Sequence, residues 1–185
     1  MQVKGTAIAV LPKFIEATFG QDGLNKWMNA LSTEARRVYH GMIMTSEWYP
    51  ITEAYLEPTA LMCEMFYGGD TRGARELGRF SADYSLKGVY KAFVKLSSVS
   101  LFINRTAGIM QTYYKPCQAK VVLVEPNRAA LQITLYPMPS ELAEQRIAGW
   151  TERAFEIHGK KNVTVTISKS LARGDACTEF VGTWT

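Results

Sequence analysis

Histidine and cysteine are scarce in this sequence. Among 185 residues there are two histidines, His40 and His158, and three cysteines, Cys63, Cys117 and Cys177. The cysteines are far apart, odd in number and form no CxxC pair, which excludes a disulfide framework. A structural zinc site lacks ligands for the same reason, because the two histidines are not at ligand spacing. Long apolar runs are missing as well. Each is broken by charge or proline well short of the about 20 residues that a membrane-spanning helix needs. The opening apolar run closes at Pro12-Lys13, which makes a poor signal peptide. The expectation is a reduced cytoplasm and no membrane span. A strong charge of one sign is also missing. Lys plus Arg is 21 and Asp plus Glu is 17, a net charge of +4. Dedicated nucleic-acid binders cluster far more charge, so no nucleic-acid partner is expected. The GxGxxG, P-loop, GxSxG and HExxH signatures are absent too.

What is present is the material for one core. Hydrophobic residues make up 47% and charged residues 21%, enough to bury a single domain over residues 1–185. The first half reads as helices. Phe14, Ile15 and Phe19, then Leu24, Trp27, Met28 and Leu31, recur at helical spacing with Gly20 and Gly23 between the groups. Residues 50–66 predict a helix opened by Pro50 and kinked at Pro58. Gly68-Gly69 stops it, and Asp70 is placed to cap a helix carrying Ala74, Leu77 and Phe80. Residues 86–96 predict another helix, and Val99, Phe102, Ile103, Ile109 and Met110 a further one. At Pro116 the period changes. Residues 119–124 and 130–136 predict a hairpin, with Glu125-Pro126-Asn127-Arg128 as its turn. Ser140 is placed to cap a helix running to Gly159, and residues 163–168 and 177–184 predict a second hairpin. The fold class is α+β, with a helical N-terminal part packed on an antiparallel sheet of two hairpins.

This strand–strand–helix–strand–strand ending resembles a superfamily of ligand-binding domains that includes H-NOX heme sensors, the 4-vinyl reductase domain and the TRAPP vesicle-tethering subunits. The stretch that carries the resemblance is residues 149–180: Gly149 in a helix, Gly159, a Val/Thr strand, then Gly174-Asp175 and Phe180. Val3-Lys4-Gly5-Thr6 is similar to an H-NOX opening, and residues 38–50 are similar to an uncharacterised myxobacterial family. The resemblance implies a pocket between helices and sheet. It also implies that the usual cofactor chemistry has been removed. The slot of the heme-binding histidine falls in residues 98–102, where Ser100 is the nearest equivalent. The Tyr-x-Ser-x-Arg signature for the heme propionates is missing. Ser170 and Thr178 stand where 4-vinyl reductase domains carry cysteines, and Cys177 is one residue early. No cofactor is therefore expected.

Two groups of residues stand out as candidate sites. Met62, Met65, Phe66, Phe93 and Phe102 are candidates for an apolar ligand pocket, because methionines and aromatics line cavities well, and Ser100 joins them as the residue nearest the heme-histidine slot that the resemblance implies. Arg72, Arg75 and Arg79 share one helix face, and Lys87, Lys91 and Lys95 share another, as a face for an anionic partner. A solvated face is the plainer account of both stripes. Cys117, near Lys115 and Lys120, is a candidate for a reactive thiol. Three functions compete. A non-catalytic sensory or regulatory domain would bind a small apolar or planar ligand and signal to a protein partner. An assembly module would act as a homodimer or through protein contacts, with a vestigial cavity. An enzyme would use Cys117 or a tyrosine, and no residue singles out a substrate for it, so no enzymatic activity is expected.

Overall fold

The computed structural model describes residues 1–86 and 98–185. The chain opens with a short strand β1 (Gln2–Lys4) and passes through α1 (Gly5–Ile8), α2 (Leu11–Ala30) and α3 (Thr33–Tyr39) to strand β2 (Trp48–Pro50). A π-helical turn, Thr52–Leu56, leads into α4 (Glu57–Tyr67), followed by α5 (Arg72–Ser85) and α6 (Val99–Tyr113). Then come β3 (Tyr114–Lys115), β4 (Gln118–Glu125), β5 (Arg128–Leu135), α7 (Glu141–His158), β6 (Thr164–Lys169) and β7 (Thr178–Thr183). The expected helix over 86–96 and the candidates Lys87, Lys91, Phe93 and Lys95 lie outside the described residues. Among those described, no helix is long and apolar enough to cross a membrane.

The two hairpins form one antiparallel sheet in the order β4-β5-β7-β6, so the strands of the second hairpin add to β5 through β7. Leu131 faces Phe180 and Ile133 faces Thr178 across this junction. A second sheet, in the order β2-β1-β3, was not expected from the sequence. Its strands are only two or three residues long, and period-2 patterning needs more than that to show. Pro50 consequently ends an edge strand, where its missing N–H costs nothing, instead of opening a helix. Pro58 sits in the first turn of α4, where proline is tolerated, and the irregularity before it takes the form of a π turn. Gly20, at φ +74°, breaks α2 into two helical pieces, as the spacing of apolar groups predicted. Asp70 Oδ1 accepts the backbone N–H of Arg72 at 2.7 Å, so it does serve the start of α5. The Ser140 side chain makes no capping bond to α7.

Apolar burial among the described residues falls into two clusters. One gathers Trp27, Leu31, Tyr39, Met62 and Leu77 among α2 to α5. The other joins Phe102, Ile147, Phe155 and Phe180 between α6, α7 and the four-stranded sheet. α5 and α7 run between them, and their backbones touch. A Cβ on Gly78 would lie 2.1 Å from the Arg146 carbonyl oxygen, and one on Gly149 would lie 2.0 Å from that of Arg75. Only glycine permits this approach. Flanking the contact, Arg75 and Arg79 both bond Glu152, Arg79 reaches Glu156 at 3.0 Å, and Arg153 grips Asp83 at 2.9 Å. Gly78→Ala and Gly149→Ala are each expected to cost about 1–3 kcal/mol, since the added methyl must push two helices apart. Urea unfolding measures this, and unchanged midpoints in both variants would refute it.

Candidate functional site

A cavity of about 410 Å³ lies where α1, α5, α6 and α7 meet. This volume is within the range of small-molecule sites. Thr6, Ala7 and Val10 come from the chain start; Gly78, Ser81 and Ser85 come from α5. Ile109, Met110 and Tyr113 come from α6; Arg146, Ile147 and Trp150 come from α7. Tyr55, from the π turn, and Tyr114, from β3, complete the inner wall. Thr6, Tyr84 and Thr112 also line it and are exposed, so this side opens to solvent. Helical periodicity explains which α7 residues reach the cavity. Arg146, Ile147 and Trp150 share a face at i, i+1 and i+4.

The inner wall is polar in a specific way. The Tyr55 and Tyr114 hydroxyls lie 2.7 Å apart, and their rings meet edge to face at 5.6 Å. The Arg146 guanidinium sits 4.1 Å from the centre of the Tyr55 ring, a cation–π contact. Its Nη1 donates to Thr59 Oγ1 at 3.1 Å and its Nη2 to the Ala7 carbonyl. Burial pushes the Tyr55 phenol up and holds that of Tyr114 well above its ordinary value, so both stay protonated. Tyr136 stacks edgewise on Tyr114 at 5.4 Å, and its buried hydroxyl has no hydrogen-bond partner among the described residues.

The sequence candidates fall elsewhere. None of Met62, Met65, Phe66, Ser100 and Phe102 is among the described residues lining the cavity. Met62 is fully buried between α4 and its neighbours, and Met65 is exposed. Phe66 stacks on Phe19 at 4.2 Å. Phe102 packs on Phe155 at 5.0 Å, in the sheet-side cluster. Ser100 is exposed on the first turn of α6. The methionines and phenylalanines were marked by their apolar character, which held no information on which apolar face meets a void, and Ser100 by the resemblance alone. Arg75 and Arg79 point at α7, where Glu152 and Glu156 match their charge, and only Arg72 of that stripe is exposed. Arg146 and Tyr55 escaped the sequence reading. A charged residue inside a buried helical stripe was the signal available, because a buried arginine is rare without a purpose.

Ser170 and Thr178 do converge. Both hydroxyls donate to the buried Glu144, Ser170 Oγ to Oε2 and Thr178 Oγ1 to Oε1, each at 2.6 Å. The Ala172 backbone N–H adds a third bond at 3.3 Å. Ser170 and Thr178 thus tie α7 to the β6–β7 hairpin. Among the described residues, no group of His, Cys, Asp or Glu is arranged to hold a metal ion. Cys117 is half-buried, and burial pushes its thiol up to about 11, against the activation its lysine neighbours suggested.

The fold is that of H-NOX domains. An H-NOX protein from S. oneidensis in the Fe(II)NO ligation state superposes with a TM-score of 0.73 at 13% identity, covering 98% of this chain and 99% of that one. An unliganded Fe(II) H-NOX point mutant from K. algicida gives 0.70 at 11% identity, over 98% and 96%. A point mutant of T. tengcongensis H-NOX gives 0.64 at 12% identity, over 98% and 97%. No family profile matches the chain. No curated protein matches it either.

Two outcomes are expected from these contacts. Thr178→Val and Ser170→Ala should each cost about 1–3 kcal/mol, because each leaves a buried carboxylate oxygen short of a donor. Chemical unfolding reads the loss, and a double variant should cost less than the sum. Alkylation of Cys117 by iodoacetamide should be slow at pH 7 and accelerate as pH rises towards about 11. A fast reaction at neutral pH would contradict the burial argument.

Proposed function

We propose that this chain is a non-catalytic sensory domain that binds a small, largely apolar ligand in the cavity between α1, α5, α6 and α7. The observation that carries this reading is the cavity itself. It opens to solvent on one side and ends on a buried polar wall on the other. It is built between helices in a chain with the fold of a ligand-binding sensor family. Occupancy would signal by shifting α5 and α7, provided the ligand binds one arrangement of the helices more tightly than another.

Heme held through an imidazole does not suit the residues present. His40 is exposed at the end of α3. His158, in the last turn of α7, lies against the Phe102 ring at 4.9 Å. Neither lines the cavity. The cysteines are no better placed, for none is among the lining residues. Of the lining tyrosines, Tyr55 and Tyr114 bond each other and stay protonated, and burial pushes Tyr113 up as well, which opposes phenolate ligation by these three. We read the domain as one that senses without heme.

The test is analysis of purified protein for a retained molecule, by visible spectroscopy and by mass spectrometry under native and denaturing conditions. A mass excess in the native sample without a visible band is the expected result. A Soret band would overturn the heme-free reading. Bare protein that no small apolar probe stabilises against heat would overturn the sensor reading and favour an assembly module.

A further inference from the structure

The cavity holds a charge with no counterion among the described residues. Arg146 is 4% exposed, so little of this charged residue reaches solvent. Burying a cation is costly unless an anion or a full set of acceptors receives it. Two acceptors do so here, Thr59 Oγ1 and the Ala7 carbonyl. A guanidinium carries five N–H donors, which leaves Nε and one N–H on each terminal nitrogen without an acceptor among the described residues, and Nε is not one of the fully buried atoms that lack a partner, so it keeps accessible surface. The ring of Tyr55 supplies a cation–π contact, which offsets only part of the desolvation.

No acid in the chain fills this gap. None of the ion pairs among the described residues involves Arg146. Residues 87–97 contain neither Asp nor Glu, so they supply no side-chain carboxylate. Glu144, two residues away, points about 200° around the helix and is bonded to Ser170, Thr178 and Ala172. Three other arginines on α5 and α7 have carboxylates: Arg75 and Arg79 share Glu152, and Arg153 has Asp83 and Glu156. Arg72 and Arg146 take part in none of these ion pairs; Arg72 is exposed, whereas Arg146 is buried and lines the cavity.

The neighbouring tyrosines extend the same pattern. Two hydroxyls bring two protons, and the Tyr55–Tyr114 hydrogen bond uses one. The other has no acceptor among the described residues. The residues lining the cavity therefore include a guanidinium and one phenolic O–H, both of them donors that a carboxylate accepts from. Around it, Val10, Ile109, Met110, Ile147 and Trp150 offer apolar surface.

We propose that the ligand is an organic carboxylate with an apolar body, and that its carboxylate pairs with Arg146 and accepts from the Tyr55–Tyr114 pair. This rests on the sensor reading and specifies the chemistry of its ligand. The test compares octanoate, decanoate and hydrocinnamate with their primary amides, which share shape but lack charge, by calorimetric titration of the full chain near neutral pH. At least one acid should bind at least tenfold more tightly than its amide. Arg146→Met, of similar length, should abolish that preference while still binding the amide. Arg146→Lys should retain part of it. If the amides bind as tightly as the acids, the carboxylate proposal falls and the cavity reading stands. If neither acids nor amides bind, both fall. If Arg146→Met binds the acids as the unmodified protein does, Arg146 is not the anion's partner. Should Arg146→Met fail to fold, the acid-to-amide ratio in the unmodified protein decides.

Discussion

The contact between α5 and α7 at Gly78 and Gly149 is the constraint on which the rest of the molecule depends. Each glycine receives the other helix's carbonyl oxygen at a distance no side chain allows. Because the two backbones touch, the residues beside them project in fixed directions. Leu77 and Ala74 enter the N-terminal cluster, while Ile147 and Ala148 enter the sheet-side one. The void that opens beside the crossing is the cavity, with Gly78 itself in its wall. The arginine–glutamate network along the same crossing adds direction more than energy, since half-exposed ion pairs contribute little each.

α7 is a helix on which charge has been sorted by face. Glu152 and Glu156 turn towards α5 and meet arginines. Glu144 turns towards the closing hairpin and meets hydroxyls. Arg146 turns towards the cavity and meets a carbonyl, a hydroxyl and an aromatic face. The buried carboxylate of Glu144 is satisfied by neutral donors, so a hydrophobic isostere is no simple replacement there. Its three bonds also fix where the 3₁₀ turn Leu171–Arg173 begins, because Ser170 Oγ accepts from the Arg173 N–H as well.

The larger elements were legible because they are long enough to show a period. α6, α7 and both hairpins follow from apolar spacing and from the turns at Pro126-Asn127 and Gly174. The bend in α2 was legible from Gly20. The β2-β1-β3 sheet was not, for its residues Val3, Tyr49 and Tyr114 come together only through the tertiary fold. The candidate site fared worse for a related reason. Apolar pattern identifies what is buried, yet a cavity is defined by what the buried residues fail to fill. Met62 and Phe102 are apolar, interior and well packed. The wall that matters is made by Arg146, Tyr55 and Tyr114, which sit on three elements far apart in sequence. The convergence of Ser170 and Thr178 on one carboxylate is visible only in three dimensions.

The glycine crossing also has a mechanical consequence. A helix whose neighbour's carbonyl lies against its bare Cα cannot roll about its own axis, because rolling brings the flanking side chains into that carbonyl. Sliding along the axis is blocked just as well, since a carbonyl from each helix faces a glycine on the other. α5 and α7 are thereby keyed together like two gear teeth and share one set of rigid-body motions. Through Glu144 the β6–β7 hairpin is attached to the same body. A displacement of α7 at Arg146 would therefore be passed to α5 through the glycine contacts and to the β6–β7 hairpin through Glu144.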